Sequence, residues 1–422
     1  MATKTSKSRQ PATKPAAPRV VRNAVDQTPA ALAGQYQTVA LVLQGGGALG
    51  AYQCGVYEAL HEADIRPNWF VGTSIGAINA AILAGNAPEH RVERLHEFWD
   101  LICEPIGGAS AVGSGVRALL SFFPTSDVMG AWANSLGALG ALFFGQEGFF
   151  KLRQFPPFAF SDGSPAATSF YDTSALKGTL ERFVDFDRIN APDGARLSVG
   201  AVCVENANVR YFDSAHEAIC AEHIMASGAL PPGFPSVEVD GKHFWDSGLV
   251  SNTPLERVWA EAPLHDTLAL QVDLWSARGD VPHTMMDVLE RRKDIQYSSR
   301  TRRGTDTEAQ FERLRHAISE LVSKVPEGAL DARLKETLKP WMSRSVFNVV
   351  HLIYQAKSHE AQYKDFAFGI GTQHEHWDSG FADMAQTLEH PKFFEKPPRD
   401  VGVATHDVHR IAAARRRHGA KT

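Results

Sequence analysis

The sequence contains little cysteine and no long apolar run. Its four cysteines, Cys54, Cys103, Cys203 and Cys220, are scattered over 422 residues, and no two of them form a C-x-x-C pair. This spacing argues against a disulfide framework and against a cysteine-ligated zinc site, and it is typical of a reducing compartment. No stretch of about 18 consecutive apolar residues occurs, so we expect no transmembrane helix.

Acidic residues are missing from both ends of the chain. Residues 1–25 hold six Lys and Arg and residues 409–422 hold five, although the whole chain has a formal net charge of −5. We therefore predict an acidic body with two solvated basic tails, residues 1–36 and 401–422, and no specific nucleic-acid site. The first tail lacks the apolar run of a signal peptide, so we expect a cytoplasmic protein. Weak, salt-dependent contact of the tails with anionic lipid or nucleic acid is the alternative to tails without a partner.

Apolar runs alternate with helical periodicity from Thr38 onward. Residues 38–43 form a continuous β-prone apolar run, which is typical of a strand buried on both faces. A glycine cluster and a helical stretch follow, and then a second short strand at 69–71 leads into another helix. Strand, helix, strand and helix in this order predict a parallel sheet, with its functional loops at the carboxyl ends of the strands.

Two later segments differ from this pattern. Residues 104–170 are rich in glycine, alanine and phenylalanine. They predict either core helices or an apolar cap that contacts a lipid surface, and both interpretations stay open. From about residue 280 the pattern becomes helical and rich in charge. We therefore predict a main domain at 37–279, which includes the 104–170 segment, and a helical C-terminal extension at 280–400.

Gly72-Thr73-Ser74-Ile75-Gly76 is a G-x-S-x-G sequence between a predicted strand and a predicted helix. A serine on such a sharp turn exposes its hydroxyl above the sheet, and only small residues two positions away avoid collision with the turn. Ser74 is therefore the candidate nucleophile.

Three consecutive glycines, Gly45, Gly46 and Gly47, follow the first predicted strand, and Gly50 completes a G-x-G-x-x-G pattern. Such a loop exposes N–H groups that bind an anion, either the pyrophosphate of a dinucleotide or the oxyanion of acyl transfer. A dinucleotide site expects an acidic residue at the end of the second strand. Because that strand leads directly into the Ser74 turn, we favour an oxyanion hole beside Ser74.

A nucleophilic serine needs a base, and the sequence Trp-Asp-Ser-Gly occurs twice, at 245–248 and 377–380. The first copy follows a predicted hairpin with an Asp-Gly turn, as expected of an active-site turn at a strand end. The second copy precedes a helix-periodic stretch, where Asp378 or Ser379 would serve as an N-cap. These contexts differ, but the local pattern alone leaves open which copy supplies a base.

Histidine is not expected to be the base. None of the seventeen histidines stands in an obvious triad context. His243 lies three residues before Asp246, and this odd separation directs the two side chains to opposite faces of a strand. The neighbours His374, Glu375 and His376 have no partner motif, so ordinary surface positions are favoured over a metal site.

These motifs occur together in one order. They are GGGALG, GTSIG, Ala-Ser-Gly-Ala-Leu-Pro-Pro at 226–232, and Asp-Ser-Gly at 246–248 followed by Asn252 and Pro254. In this combination the chain resembles the patatin-like phospholipases over residues 38–275. The resemblance implies an α/β fold, a three-layer α/β/α sandwich with a mostly parallel central sheet.

The resemblance also implies the roles of the motif residues. Ser74 would be the nucleophile and Asp246 the base of a Ser–Asp dyad, the three glycines would supply the oxyanion loop, and no metal or cofactor is required. The supporting motif residues are Gly50, Gly72, Gly76, Ser247 and Gly248. Ser247 replaces the family's usual glycine, and Leu49 stands where many members carry a basic residue.

The implied activity is hydrolysis of a carboxylic ester of a lipid through an acyl-enzyme, with a lipid or fatty-acyl ester as substrate and a peripheral membrane contact. Three alternatives remain. The same dyad could transfer the acyl group to an alcohol, the glycine loop could bind a dinucleotide, or the protein could be a non-catalytic lipid-binding scaffold. The resemblance supplies neither a role for the C-terminal extension nor an oligomeric state.

Overall fold

The central sheet contains most of the strands of this computed structural model. The structure describes residues 28–103, 146, 148–261, 265–299, 301–326, 328–342, 345–355, 365 and 368–408. The strands are β1 Thr38–Leu43, β2 Trp69–Gly72, β3 Lys151–Leu152, β4 Tyr171–Asp172, β5 Arg196–Cys203, β6 Val209–Asp213, β7 Val237–Val239, β8 Lys242–Asp246, β9 Thr267–Asp273, β10 Phe347–Ile353 and β11 Val403–Asp407.

Nine of these strands form one sheet in the described part of the chain. Its order is β11-β10-β9-β1-β2-β5-β8-β7, with β6 paired to β5. The pairs from β11 through β1 to β5 are parallel. The pairs that involve β6, β7 and β8 are antiparallel. The predicted mostly parallel sheet is thus confirmed, with an antiparallel edge.

The α-helices lie between and around these strands. They are α1 Pro29–Ala33, α2 Ala51–Glu62, α3 Ile75–Ala84, α4 Arg91–Cys103, α5 Pro165–Thr168, α6 Ser174–Phe183, α7 Phe186–Ile189, α8 Ala221–Ser227, α9 Leu255–Glu261, α10 Met285–Tyr297, α11 Thr301–Ser323, α12 Ala332–Leu338 and α13 Ile370–Leu388. None of the described helices is long and apolar enough to cross a membrane.

Strand β1 shows why the fold has three layers. Its alternate residues Leu41 and Leu43 belong to the larger apolar cluster, which includes side chains of α2, α3 and α4. Ala40 and Val42 point the other way, into a second cluster that α9 covers. Because a strand alternates its side chains between faces, a continuous apolar run is required when both faces are covered. The predicted α/β/α sandwich is confirmed.

The parallel pairing of β1 with β2 sets the position of the site. The register places Leu43 opposite Gly72, so the two strands end side by side. The glycine loop that follows β1 and the Ser74 turn that follows β2 therefore leave the sheet at the same edge. The hairpin of β7 and β8 is also present, and its turn residues Asp240 and Gly241 have φ of 53° and 73°.

The C-terminal extension is not purely helical, which corrects the prediction for residues 280–400. Strand β10 lies beside β9 in parallel register and is almost entirely buried. Strand β11, inside the predicted tail 401–422, pairs with β10. A short apolar run cannot be assigned to helix or strand by periodicity alone, and here a segment with three β-branched residues and six buried positions forms a strand.

The N-terminal tail also ends earlier than predicted. Within the predicted tail 1–36, residues Pro29–Ala33 form α1, which the Thr28 side chain caps. Leu32, Ala33 and Tyr36 are buried against the main core. Burial of these three apolar side chains therefore orders a segment whose composition resembles that of a tail. The basic residues of the two predicted tails lie outside the described residues.

The second Trp-Asp-Ser-Gly sequence lies in the middle of α13, so the predicted N-cap at Asp378 or Ser379 is wrong. Helix α13 crosses α2 with close backbone contact. A Cβ on Gly380 would overlap the Tyr52 carbonyl, and one on Gly55 would overlap the Trp377 carbonyl. Trp377 and Gly380 of this second copy therefore lie at the contact between α13 and α2.

The apolar 104–170 segment is described only in its last part. Phe143 and Phe144 lie outside the described residues. Phe149 and Phe150 are buried, and their rings contact Phe234 and neighbouring aromatic side chains. For these two phenylalanines the core interpretation is correct and the interfacial interpretation is wrong.

Candidate active site

The Ser74 turn is strained. Ser74 has φ 57° and ψ −125°, a left-handed backbone conformation that residues other than glycine rarely adopt. It lies between the end of β2 and the first residue of α3, and its side chain is half-buried. Such strain persists only where the surrounding structure fixes it, and it is typical of functional sites.

The two glycines that flank Ser74 explain how the turn fits. A Cβ on Gly72 would overlap the Gly76 carbonyl, and a Cβ on Gly76 would overlap the Leu43 carbonyl of β1. The turn and the adjacent strand therefore approach too closely for any side chain at either position. The glycines at these positions are structural requirements of the turn.

Asp246 ends β8 and lies at the same edge as Ser74. Its side chain is only 2% exposed. The Ser74 side chain lies close enough to this carboxylate to lower its pKa. Oδ1 also accepts the Gly248 N–H at 2.7 Å, so the Ser247–Leu249 turn holds the carboxylate in place. The structure thus brings together the predicted nucleophile and the predicted base.

Burial changes the acidity of Asp246. Desolvation raises its pKa from 3.8 to about 6, while the hydrogen bonds from Ser74 and from the Gly248 N–H oppose this rise. A raised pKa makes the carboxylate a stronger base than an ordinary aspartate. At neutral pH the carboxylate is still largely ionised and can accept a proton.

Three other hydroxyl groups support the Ser74 turn. Ser227 Oγ accepts the Ser74 N–H at 3.0 Å and donates to the Gly200 carbonyl at 2.6 Å. Ser247 Oγ lies 3.0 Å from the same carbonyl and 3.2 Å from Thr73 Oγ1. Ser247 and Ser227 are completely buried, so their hydrogen bonds tie the turn to β5.

The glycine loop lies directly against Ser74. A Cβ on Gly45 would be 3.0 Å from the Ser74 Cβ. The Gly45 N–H donates to the Asn252 carbonyl at 3.3 Å, and the Gly45 carbonyl accepts from Asn252 Nδ2 at 3.0 Å. Gly45 therefore uses its N–H within the protein, which differs from the predicted role of this residue as an oxyanion donor. Gly47 opens the 3-10 helix Gly47–Gly50, and the first N–H groups of a helix have no acceptor within it.

A frame of polar side chains surrounds the glycine loop. Gln44 Oε1 accepts the N–H groups of Leu274 and Trp275 at 2.6 and 3.0 Å, and Trp275 Nε1 donates to the Gly45 carbonyl at 2.8 Å. The Tyr297 carbonyl, at the end of α10, accepts from Gln44 Nε2 at 2.9 Å and from Asn252 Nδ2 at 3.0 Å. The C-terminal extension is therefore built into the surroundings of the site.

A second contact from the extension reaches the loop at Gly47. A Cβ on Gly47 would overlap the Asp365 carbonyl, so glycine is required both by this contact and by its φ of 57°. Asp365 pairs with Lys293 of α10 at 2.8 Å. The extension thus contacts the glycine loop directly at Gly47, in addition to its contacts with Gln44 and Asn252.

Two family models match the chain, one on each side of the predicted boundary near residue 280. A model of patatin-like phospholipases matches residues 41–259, slightly more than half of the chain. The chain belongs to the patatin-like phospholipase family. A second model, described as patatin phospholipase, matches residues 295–400 of this family member. The second match covers strand β10 and helix α13, which pack with the first region in one sheet and one core.

Two individual proteins are similar to this patatin-like chain. Lysophospholipase nte1 of Aspergillus terreus is 53% identical over 51 residues, which are 12% of this chain and 3% of that protein. The match therefore spans a small part of that relative. VipD from Legionella pneumophila is 14% identical, with a TM-score of 0.34 over 83% of this chain and 66% of that chain.

Sequence reasoning missed several residues at the site of this patatin-like protein. Ser227 lies inside the quoted 226–232 motif, which gives a signal but no role. Gln44 directly precedes the three glycines. Trp275 and Tyr297 lie outside the motifs and reach the site only through the fold, so no local pattern could have identified them.

The histidines considered in the sequence analysis differ in their exposure. His243 is exposed, whereas Asp246 on the same strand is buried. His374 and Glu375 are exposed as predicted, whereas His376 is buried near the Ala48 carbonyl, so the predicted surface position of His376 is wrong. Among the described residues, no three His, Cys, Asp or Glu side chains form a group that could hold a metal ion.

Proposed function

We propose that this protein hydrolyses carboxylic esters of lipids through an acyl-enzyme formed on Ser74. The position of Ser74 on a strained turn beside the buried Asp246 carboxylate, whose pKa the Ser74 side chain lowers, carries this proposal. Membership of the patatin-like phospholipase family supports a lipid ester as the substrate class. The similarity to a relative named as a lysophospholipase points in the same direction.

The chemistry needs one proton acceptor. Asp246 takes the Ser74 hydroxyl proton while Oγ attacks the acyl carbon, and the same proton passes to the leaving alcohol when the tetrahedral intermediate collapses. Water then attacks the acyl-enzyme as Asp246 accepts one of its protons. Release of the fatty acid returns the proton to Ser74 and regenerates the dyad.

The oxyanion of both tetrahedral intermediates needs N–H donors. We assign this role to Gly46 and Gly47, because Gly45 uses its N–H on the Asn252 carbonyl. Their position next to Gly45, which lies against Ser74, supports the assignment. Loss of one oxyanion donor typically lowers the rate by about 10²–10³-fold. Gly45 then has a positioning role through its carbonyl.

The catalytic unit in this proposal includes the C-terminal extension. Tyr297 holds Gln44 and Asn252 through its carbonyl, and Asp365 contacts Gly47. A chain that ended near residue 279 would lose both contacts. We therefore treat residues 280–408 as part of the hydrolase and not as a separable domain.

The test is fatty-acid release from a lipid ester by the wild-type protein and by Ser74→Ala. We expect turnover by the wild type and none above background for the variant, with unchanged circular dichroism. An added alcohol acceptor separates hydrolysis from transfer, because transfer yields a new ester in place of the free acid. Equal turnover by both proteins would refute the proposal.

A further inference from the structure

Two buried amide side chains, Gln53 of α2 and Asn79 of α3, take no part in the proposed reaction. Each is 1% exposed, and the residues before and after each of them belong to the larger apolar cluster. Moving a polar side chain from water into such surroundings costs free energy unless the side chain is hydrogen-bonded. The bonds that these two amides make therefore indicate what they do.

The two amides bond to both ends of the glycine loop. Gln53 Nε2 donates at 2.7 Å to the carbonyl of Gln44, which directly precedes the three glycines. Asn79 Nδ2 donates at 3.0 Å to the carbonyl of Gly50, the last residue of the 3-10 helix. The same Nδ2 donates to Gln53 Oε1 at 3.0 Å. One connected pair of side chains thus holds the start and the end of the loop.

Trp99 of α4 fixes the orientation of Asn79. Its Nε1 donates to Asn79 Oδ1 at 3.1 Å, and its side chain is completely buried. An amide accepts through its oxygen and donates through its nitrogen, so this bond directs Nδ2 toward Gly50 and Gln53. Hydrogen bonds in such a chain polarise and strengthen one another where water is excluded.

Asn79 lies on the helix that begins at the nucleophile. Helix α3 starts directly after Ser74, and Asn79 is five residues beyond Ser74. The end of the glycine loop packs against the first residue of the same helix, because a Cβ on Gly50 would be 2.6 Å from Ile75 Cγ1. The helix that presents Ser74 is therefore in contact with the loop, and the bonds of Asn79 give this contact a fixed direction.

We propose that Asn79, together with Gln53, is a positioning residue for the oxyanion donors. Their bonds hold the loop that contains Gly46 and Gly47 at a fixed distance from Ser74. This inference rests on the proposed function, in which these two glycines stabilise the oxyanion. Preorganised N–H groups must be in place before charge develops, and a misplacement of about 1 Å can cost about 100-fold in rate.

Asn79→Leu replaces the amide by an apolar side chain of similar size and removes its three hydrogen bonds. We expect kcat for p-nitrophenyl butyrate to fall by about ten- to hundredfold with KM nearly unchanged, because the oxyanion forms only on the way to the tetrahedral intermediate. Gln53→Met, in which the flexible methionine fills the same space, should act in the same direction. Because both changes loosen the same loop, their combined effect on kcat should be less than the product of the two single effects.

The matched control is Asn86→Leu. Asn86 follows α3 at the end distant from Ser74, and its Nδ2 donates to the Ile82 and Phe183 carbonyls, both at 2.8 Å. This control loses amide bonds of the same kind but leaves the glycine loop untouched. Its kcat should equal that of the wild type, while circular dichroism and urea unfolding report the folded fraction of every variant.

Inhibition by a trifluoromethyl ketone separates positioning from general damage to the fold. The adduct of this inhibitor with Ser74 carries an oxyanion, so its Ki should rise by the factor by which kcat/KM falls. An unchanged kcat in folded Asn79→Leu, an equal loss in Asn86→Leu, or a Ki that does not follow kcat/KM would each overturn the inference. If Asn79→Leu does not fold, the same criteria apply to Gln53→Met.

Fluorophosphonate labelling distinguishes failure of this inference from failure of the proposed function. The reagent needs Ser74 and the oxyanion donors but no natural substrate. If the wild type is labelled at Ser74 but hydrolyses no lipid ester, the proposed function is refuted, and slower labelling of Asn79→Leu still supports the positioning role. A wild type that is neither labelled nor active on any ester would refute both.

Discussion

Replacing Asp246 by asparagine should raise the stability of the protein while it abolishes turnover. The carboxylate is buried, and desolvation raises its pKa from 3.8 to about 6. Keeping it ionised in the folded state therefore costs about 3 kcal/mol, since one pKa unit corresponds to about 1.4 kcal/mol. Asparagine has nearly the same shape and can still accept the Gly248 N–H, and its amide can donate to Ser74. The variant lacks the charge and cannot accept a proton.

The sign of the pH dependence follows from linkage. The folded pKa lies above the unfolded pKa, so between about pH 4 and pH 6 the folded wild type binds more protons than the unfolded chain. The cost of the ionised carboxylate is absent below about pH 4 and complete above about pH 6. The stability difference between Asp246→Asn and wild type should grow over this window and stay constant at higher pH.

Urea unfolding at pH 4.5 and at pH 8 measures this difference. We expect Asp246→Asn to exceed wild type by up to about 3 kcal/mol at pH 8 and by clearly less at pH 4.5. Asp378→Asn, on an exposed position of α13, is the control and should leave stability and turnover nearly unchanged. A destabilised Asp246→Asn protein, or a gain that does not depend on pH, would refute the reasoning.

Three further results are expected. The kcat/KM for a soluble ester should be level above about pH 6 and fall about tenfold per pH unit below it, because Asp246 must be ionised to act as base; a level profile down to pH 4.5 would contradict this. Ser227→Ala should lower kcat about tenfold with little change in KM, because the buried Ser74 N–H loses its acceptor; an unchanged kcat would exclude the positioning role. Gly380→Ala should lower the free energy of unfolding by about 2 kcal/mol or more, whereas Gly371→Ala, whose Cβ meets open space, should raise it by up to roughly 1 kcal/mol. Equal effects of these two substitutions would show that α2 and α13 tolerate a side chain at their crossing.

The local parts of the site could be predicted from the sequence, because their constraints are local. The Ser74 turn needs glycine at fixed positions, and the apolar run of β1 together with the short β2 predicts parallel neighbours. The resemblance to the patatin-like phospholipases implies Asp246 in place of Asp378, and the hairpin with an Asp-Gly turn before Asp246 agrees with this choice. In each case a few adjacent residues contain the physical reason for the structure.

The contributions of the C-terminal extension could not be predicted in this way. The mostly apolar sequence of β10 also fits a buried helix. It forms a strand here because it pairs with β9 at the edge of the sheet. The contact of Tyr297 with Gln44 spans 253 positions of the chain. The N–H of Gly45 was expected to be a donor to substrate, and its bond to Asn252 depends on the arrangement of two distant loops.

Covalent labelling tests the central claim, that Ser74 is a nucleophile activated by Asp246, most directly. The wild-type protein is treated with a fluorophosphonate, and the modified peptide is identified by mass spectrometry. We predict a single adduct on Ser74, no adduct in Ser74→Ala, strongly slowed labelling in Asp246→Asn and unchanged labelling in Asp378→Asn. An adduct on another serine, or labelling of Asp246→Asn at the wild-type rate, would contradict the account.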